Sequence, residues 1–136
     1  MVSAHPLDIS VSTGSISGSS ISVTTYFHSY EIEYLLRQND KPLIDGVADY
    51  FVHEDIIADY VKNNSSLTNN GVSCQISQIE VLKDEIYIIL SDGLGVSYRF
   101  DCAEDIKDIQ LKLGYFIEFP LQTNRITLYH LTGGIK

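Results

Sequence analysis

The chain has 136 residues, which is one domain by length and enough to bury a core. Hydrophobic residues make up 44% and charged residues 20%, a balance that excludes wholesale disorder. Eighteen acids against nine bases give a net charge of -9, which argues against a nucleic-acid binder and against adhesion to an anionic membrane.

Residues 7–27 alternate in polarity. Ile9, Val11 and Thr13 share one phase, and Ile21, Val23 and Thr25 repeat it. Period two means strand. Gly14 and Gly18, with Ser15, Ser17, Ser19 and Ser20, supply a turn between the two runs. The reading is a Ser-rich hairpin, placed at a sheet edge because its apolar faces are thin. Low-complexity disorder is the competing reading.

Residues 28–62 read as a helical segment. Tyr30, Ile32 and Tyr34 alternate as in a strand, whereas Ile32, Leu35 and Leu36 fit a helix. The helix is preferred, with Ser29 as its cap. The run Asn39-Asp40-Lys41-Pro42 ends it. Over residues 43–61 two apolar sets each cluster on one side, but the sets oppose each other. The chain must therefore break near His53-Glu54-Asp55. Two short helices are expected, with Pro42 near the first start and Asp55 capping the second. Residues 63–71 read as a polar loop.

Residues 72–131 read as strands with one helix. Val72, Cys74 and Ile76 alternate, and then Ile79 and Val81 continue one residue out of step. A β-bulge near Ser77-Gln78 repairs the slip. Residues 85–90 are apolar on both faces and should form a central strand. Asp92-Gly93 signals a hairpin, and Val96, Tyr98 and Phe100 alternate in the returning strand. Residues 102–113 are expected as a helix. Asp101 to Glu104 has capping-box spacing, Ile106, Ile109 and Leu113 fall at i, i+3 and i+7, and Gly114 stands where a C-cap belongs. Residues 115–119 and 125–131 finish as two strands, and residues 132–136 as a frayed tail.

The expected architecture is a single domain over residues 1–136. Its class is α+β: a mainly antiparallel sheet of six to seven strands with three to four short helices on one face. Cys74 and Cys102 are read as buried reduced thiols, with a disulfide or a reactive thiol as alternatives. The first 25 residues lack Lys and Arg, and the longest apolar run is residues 86–90. Neither a leader nor a membrane span is indicated, so the expected location is cytoplasmic.

Chemistry is sparse. His5, His28, His53 and His130 are scattered. Asp49 and His53 are four apart, but Ile57 stands where a zincin helix would carry its second histidine. A Cys–His pair or a serine nucleophile lacks a local signature. No catalytic residue, metal or cofactor is therefore assigned.

Surface charge is the remaining signal. Asp45 and Asp49 lie opposite the apolar stripe of the first expected short helix, and Asp55 and Asp59 opposite that of the second. Glu104, Asp105 and Asp108 cluster further on. A solvated face is the plain reading; a surface for a basic partner is the sharper one. Tyr50 and Tyr60 could anchor such a contact. One short acidic domain without catalytic groups has the profile of an immunity protein, which neutralises a basic toxin, commonly a nuclease. A phage-encoded charge-mimic inhibitor has the same profile. The alternatives are an assembly protein using the Ser-rich edge strand and, third, a small enzyme. The expectation is a monomer or homodimer with a basic protein partner.

Overall fold

Strand alternation sets the centre of the molecule. The computed structural model describes residues 8–41, 52–82, 93–115 and 122–130. In β2 (Ser20–His28) the buried positions are Ile21, Val23, Thr25 and Phe27. In β6 (Gly93–Asp101) the buried side chains are those of Leu94, Val96, Tyr98 and Phe100, and Gly95 is buried as well. The antiparallel register sets these face to face: Ile21 opposite Phe100, Val23 opposite Tyr98, Thr25 opposite Val96 and Phe27 opposite Leu94. Such directly opposed pairs are the unit of sheet stabilisation. Each large apolar side chain buried there contributes about 1.5–3 kcal/mol.

β1 (Asp8–Ser17) pairs antiparallel with β2 through a two-residue turn at Gly18-Ser19. The hairpin is not at an edge. The five-stranded sheet runs β5-β6-β2-β1-β8, with β5 at Gln75–Val81 and β8 at Gln122–His130. Its inward phase in β1 is Ser12, Gly14 and Ile16, while Val11 is 42% exposed. The expected phase was the opposite one. Ser12 is held inside because its hydroxyl meets that of Thr25 at 2.6 Å. Gly14 lies beneath Leu128 of β8, where an added Cβ would stand 2.7 Å from the leucine Cδ2. β8 pairs parallel with β1, the one parallel pairing among the described residues.

β5 carries the expected bulge. Its register against β6 shifts between Ser77 and Glu80, and Gln78 takes a φ of 53°. The extra residue leaves Ile76 opposite Phe100 and Val81 opposite Val96, so both turn to the core face despite odd spacing.

A second sheet, ordered β4-β3-β7, is small. It joins β3 (Ser65–Asn69), β4 (Val72–Ser73) and β7 (Ile109–Leu113). This overturns two expectations. Residues 63–71 are not a loop, because Leu67 and Asn69 are buried in β3. Residues 102–113 are not a helix. Asp101 is held instead by Arg99 Nε at 2.8 Å, Ser20 Oγ at 2.9 Å and Ser77 Oγ at 3.1 Å, so it cannot cap. The Asn69 side chain donates to the carbonyls of Glu104 and Asp105 and accepts from the Lys107 N–H. Those backbone groups are the ones a helix would have used. Ile109, Leu111 and Leu113 then continue as a strand opposite Asn69, Leu67 and Ser65.

Two helices are described. α1 (Ser29–Gln38) buries Ile32, Leu35 and Leu36. Its start is fastened by Glu31, whose carboxylate accepts the His28 N–H at 2.8 Å; His28 is the N-cap, not Ser29. α2 (Glu54–Asn63) buries Ile57 and Val61 and follows His53, at the expected break. His53 occupies the N-cap and Asp55 lies inside the first turn, so the expected Asp55 cap is displaced. The expected first short helix falls mostly outside the described residues, as does the strand at 85–90. Both described helices pack against the five-stranded sheet and touch each other. The class is α+β and mostly sheet, with eight strands in two sheets and two helices among the described residues.

Cys74 and Cys102 form a disulfide, with Cα atoms 4.5 Å apart. The expectation of reduced thiols is thereby corrected. Cys74 lies between β4 and β5, and Cys102 directly follows β6. The bridge therefore ties two places where the chain passes from one sheet to the other.

Candidate functional site

α2 owes its form to period 3.6. Ile57 and Val61 face the core, and Asp55 and Asp59 stand exposed on the other side. Neither aspartate makes an ion pair among the described residues, where the pairs are Arg37 with Glu33 and Arg99 with Asp101. Glu54 and Asp55 occupy the first turn, where the helix N-terminus favours negative charge. Acids spaced four apart repel by a few tenths of a kcal/mol.

The structure sets these acids beside two hollows flanking the helix. The first lies toward β5 and measures about 240 Å³. Glu54, Asp55 and Glu80 stand around it, with Ala58, Ile79 and Val81 supplying apolar surface. Glu80 reaches this place because the bulge turns Val81 inward, leaving its neighbour outward and exposed. The second hollow lies toward α1 and measures about 210 Å³. Leu35 and Ile56 give it apolar walls. Asn39, Asp59, Asn63 and Asn64 give it polar groups, and Tyr60 adds a ring. Tyr60 is half-buried, its ring centroid 6.1 Å from that of Tyr115.

Of the sequence-derived contact residues, Asp55, Asp59 and Tyr60 share α2, though Asp55 and Asp59 line different hollows. Asp45, Asp49 and Tyr50 lie outside the described residues. Glu104, Asp105 and Asp108 are exposed on the segment between β6 and β7 and line neither hollow. Glu54 and Glu80 were not singled out from sequence. Glu80 is the outward residue that follows the bulge, so its exposure was legible, but its closeness to Asp55 was not.

Elsewhere several chemistry-bearing groups among the described residues are engaged. Both sulfurs are in the disulfide, which removes a cysteine nucleophile. His28 stacks on Tyr30 with ring centroids 5.5 Å apart. The Asp101 carboxyl is held below the usual carboxylate range by its hydrogen bond from Arg99, with Ser20 and Ser77 adding to it. Among the described residues no group of three His, Cys, Asp or Glu is placed to hold a metal ion. Asp49, four residues before His53, is outside them. No described helix is long and apolar enough to cross a membrane.

Inside the protein, four buried hydroxyls form one chain. Tyr115 donates to the Tyr98 oxygen at 2.7 Å, Tyr98 meets Thr25 at 2.7 Å, and Thr25 meets Ser12 at 2.6 Å. It runs across β1, β2 and β6 to Tyr115, the second residue after β7, linking the two sheets. Burial pushes the Tyr98 and Tyr115 hydroxyls above their ordinary range.

Neither a protein-family model nor a curated protein matches this chain.

Proposed function

We propose that the chain is a small acidic binding protein that neutralises a basic protein by covering its active surface, as an immunity protein does with a toxin, commonly a nuclease. The observation that carries the reading is the exposed flank of α2. Asp55 and Asp59 lack ion-pair partners among the described residues, and exposed Glu80 stands by Asp55 on β5. With a net charge of -9, such a flank draws cationic partners and rejects anionic ones. Tyr60 is held half-exposed beside the acids, the setting of an interface anchor. The chain acts as a binder without cofactor, not as a catalyst. The Ser-rich hairpin lies inside the sheet, so assembly through it as an edge strand loses its basis. The disulfide supports an oxidising compartment over the expected cytoplasm, where thiols are kept reduced.

The test is capture from an extract of the producing organism on immobilised protein, followed by kinetics on the purified partner. Wild type should retain a basic protein with a Kd on the order of nanomolar or tighter, its on-rate falling steeply with salt. The triple variant Asp55→Lys, Asp59→Lys, Glu80→Lys should lose it. Unchanged affinity in that variant overturns the assignment to this face.

A further inference from the structure

We propose that the groove between α1 and α2 is a socket for one guanidinium group, the side chain of an arginine. That this arginine belongs to a basic protein rests on the function proposed above; the socket itself rests on three observations.

Both helices bring their C-terminal ends to the groove. Asn39 is the C-cap of α1 and Asn64 the C-cap of α2, and both line it. A helix C-terminus carries roughly half a negative elementary charge, and two such ends favour a cation. The acceptors are also prepared. The Asn39 amide nitrogen donates to the Leu35 carbonyl at 2.9 Å, and that of Asn64 to the Tyr60 carbonyl at 2.8 Å. With its nitrogen engaged at the helix end, each side chain has its oxygen as the group to offer. Asp59 adds a carboxylate on the same wall. Finally, the surroundings suit arginine rather than lysine. Leu35 and Ile56 can cover a methylene stem, and the Tyr60 ring offers a face for a planar cation. Several separated oxygen acceptors match the fork of a guanidinium better than a point ammonium. The described lining contains no cation; Lys41 and Lys62, nearest in sequence, are exposed and not part of it.

The probe is N-acetyl-arginine amide, titrated into the full-length ¹⁵N-labelled chain. Its neutral isostere, N-acetyl-citrulline amide, serves as control. The side-chain amide signals of Asn39, Asn63 and Asn64 should shift saturably with the arginine compound and not with citrulline. Asp59→Asn should weaken binding about tenfold, the loss of one charge-assisted contact. Asp108→Asn, the same change on the distant exposed segment, should leave it unaltered. Equal shifts with citrulline, or full affinity in Asp59→Asn, overturn the socket. A silent titration alongside intact capture of a basic protein rejects the socket alone. Arginine binding without such capture supports the socket and rejects the wider reading.

Discussion

Tyr98 is the residue on which the interior turns. Its hydroxyl sits between Thr25 and Tyr115, and all three side chains are buried. A buried polar group left without a partner costs about 1–3 kcal/mol. Tyr98→Phe removes both hydrogen bonds of the middle link, each worth about 0.5–1.5 kcal/mol, so it should lower stability by about 2 kcal/mol in urea unfolding. A loss under about 0.5 kcal/mol would mean that the chain of hydroxyls is idle. The same tyrosines set an alkaline limit. Burial raises their folded-state pKa above the unfolded value near 10. Above that pH the unfolded chain releases these protons while the folded chain keeps them. Stability is therefore complete below pH 10 and falls above it, by about 1 kcal/mol per pH unit for Tyr115, with Tyr98 acting in the same direction. Tyr115→Phe should flatten the fall seen in unfolding between pH 10 and 11, although it starts from a less stable protein. A slope identical to wild type would show that Tyr115 does not carry it.

At the scale of elements, the Asn69 side chain and the Cys74–Cys102 bridge help hold the segment between β6 and β7, beside backbone bonds from Cys102 and Ile106 to the carbonyls of Ser19 and Gly18. Asn69 makes three hydrogen bonds to backbone 35 to 38 residues away. Asn69→Ala should cost about 2–3 kcal/mol and speed amide exchange at Lys107. Replacing both Cys74 and Cys102 by Ser opens a loop closed over a separation of 28 residues. By chain entropy that should cost about 3.5 kcal/mol, read as a lower urea midpoint that reducing agent reproduces in wild type. Reductant without effect would show that the bridge contributes nothing. This region also marks what the sequence could convey. α1, the bulge and β6 were legible because their periodicity is local and their burial follows it. The segment 102–113 was not, since Ile109 and Leu113 fit a helix while Ile109, Leu111 and Leu113 fit a strand. Asn69, far off in the chain, decided between them by taking the backbone groups a helix needs. β3 stayed hidden because Leu67 is its one buried aliphatic. Asp55 and Asp59 were legible from helical spacing, whereas Glu80 comes beside Asp55 through tertiary packing alone.

For the whole molecule, the question is whether its negative charge serves folding or something else. A net charge of -9 on so small a body repels itself, and the repulsion opposes the compact state. The exposed ion pairs at Arg37–Glu33 and Arg99–Asp101 offset little of it. Salt weakens both terms, but the long-range repulsion is the larger sum. Raising ionic strength from about 0.01 to 1 M, which cuts the screening length from about 30 to 3 Å, should therefore raise Tm. Each reversal of an acid to lysine adds two charges, so Asp55→Lys, Asp59→Lys and Glu80→Lys together take -9 to -3. None of the three takes part in an ion pair among the described residues, and all are exposed. Loss of the favourable first-turn interaction at Asp55 costs about 0.3–1 kcal/mol, and relief of repulsion acts against it. The triple variant should thus unfold within a few degrees of wild type at low salt and show a shallower rise of Tm with salt. That outcome would mean that the acids on α2 and β5 do little for folding, as a binding face requires. A drop of more than about 15 °C would instead make them structural, and the case for a basic partner at this face would fail with it.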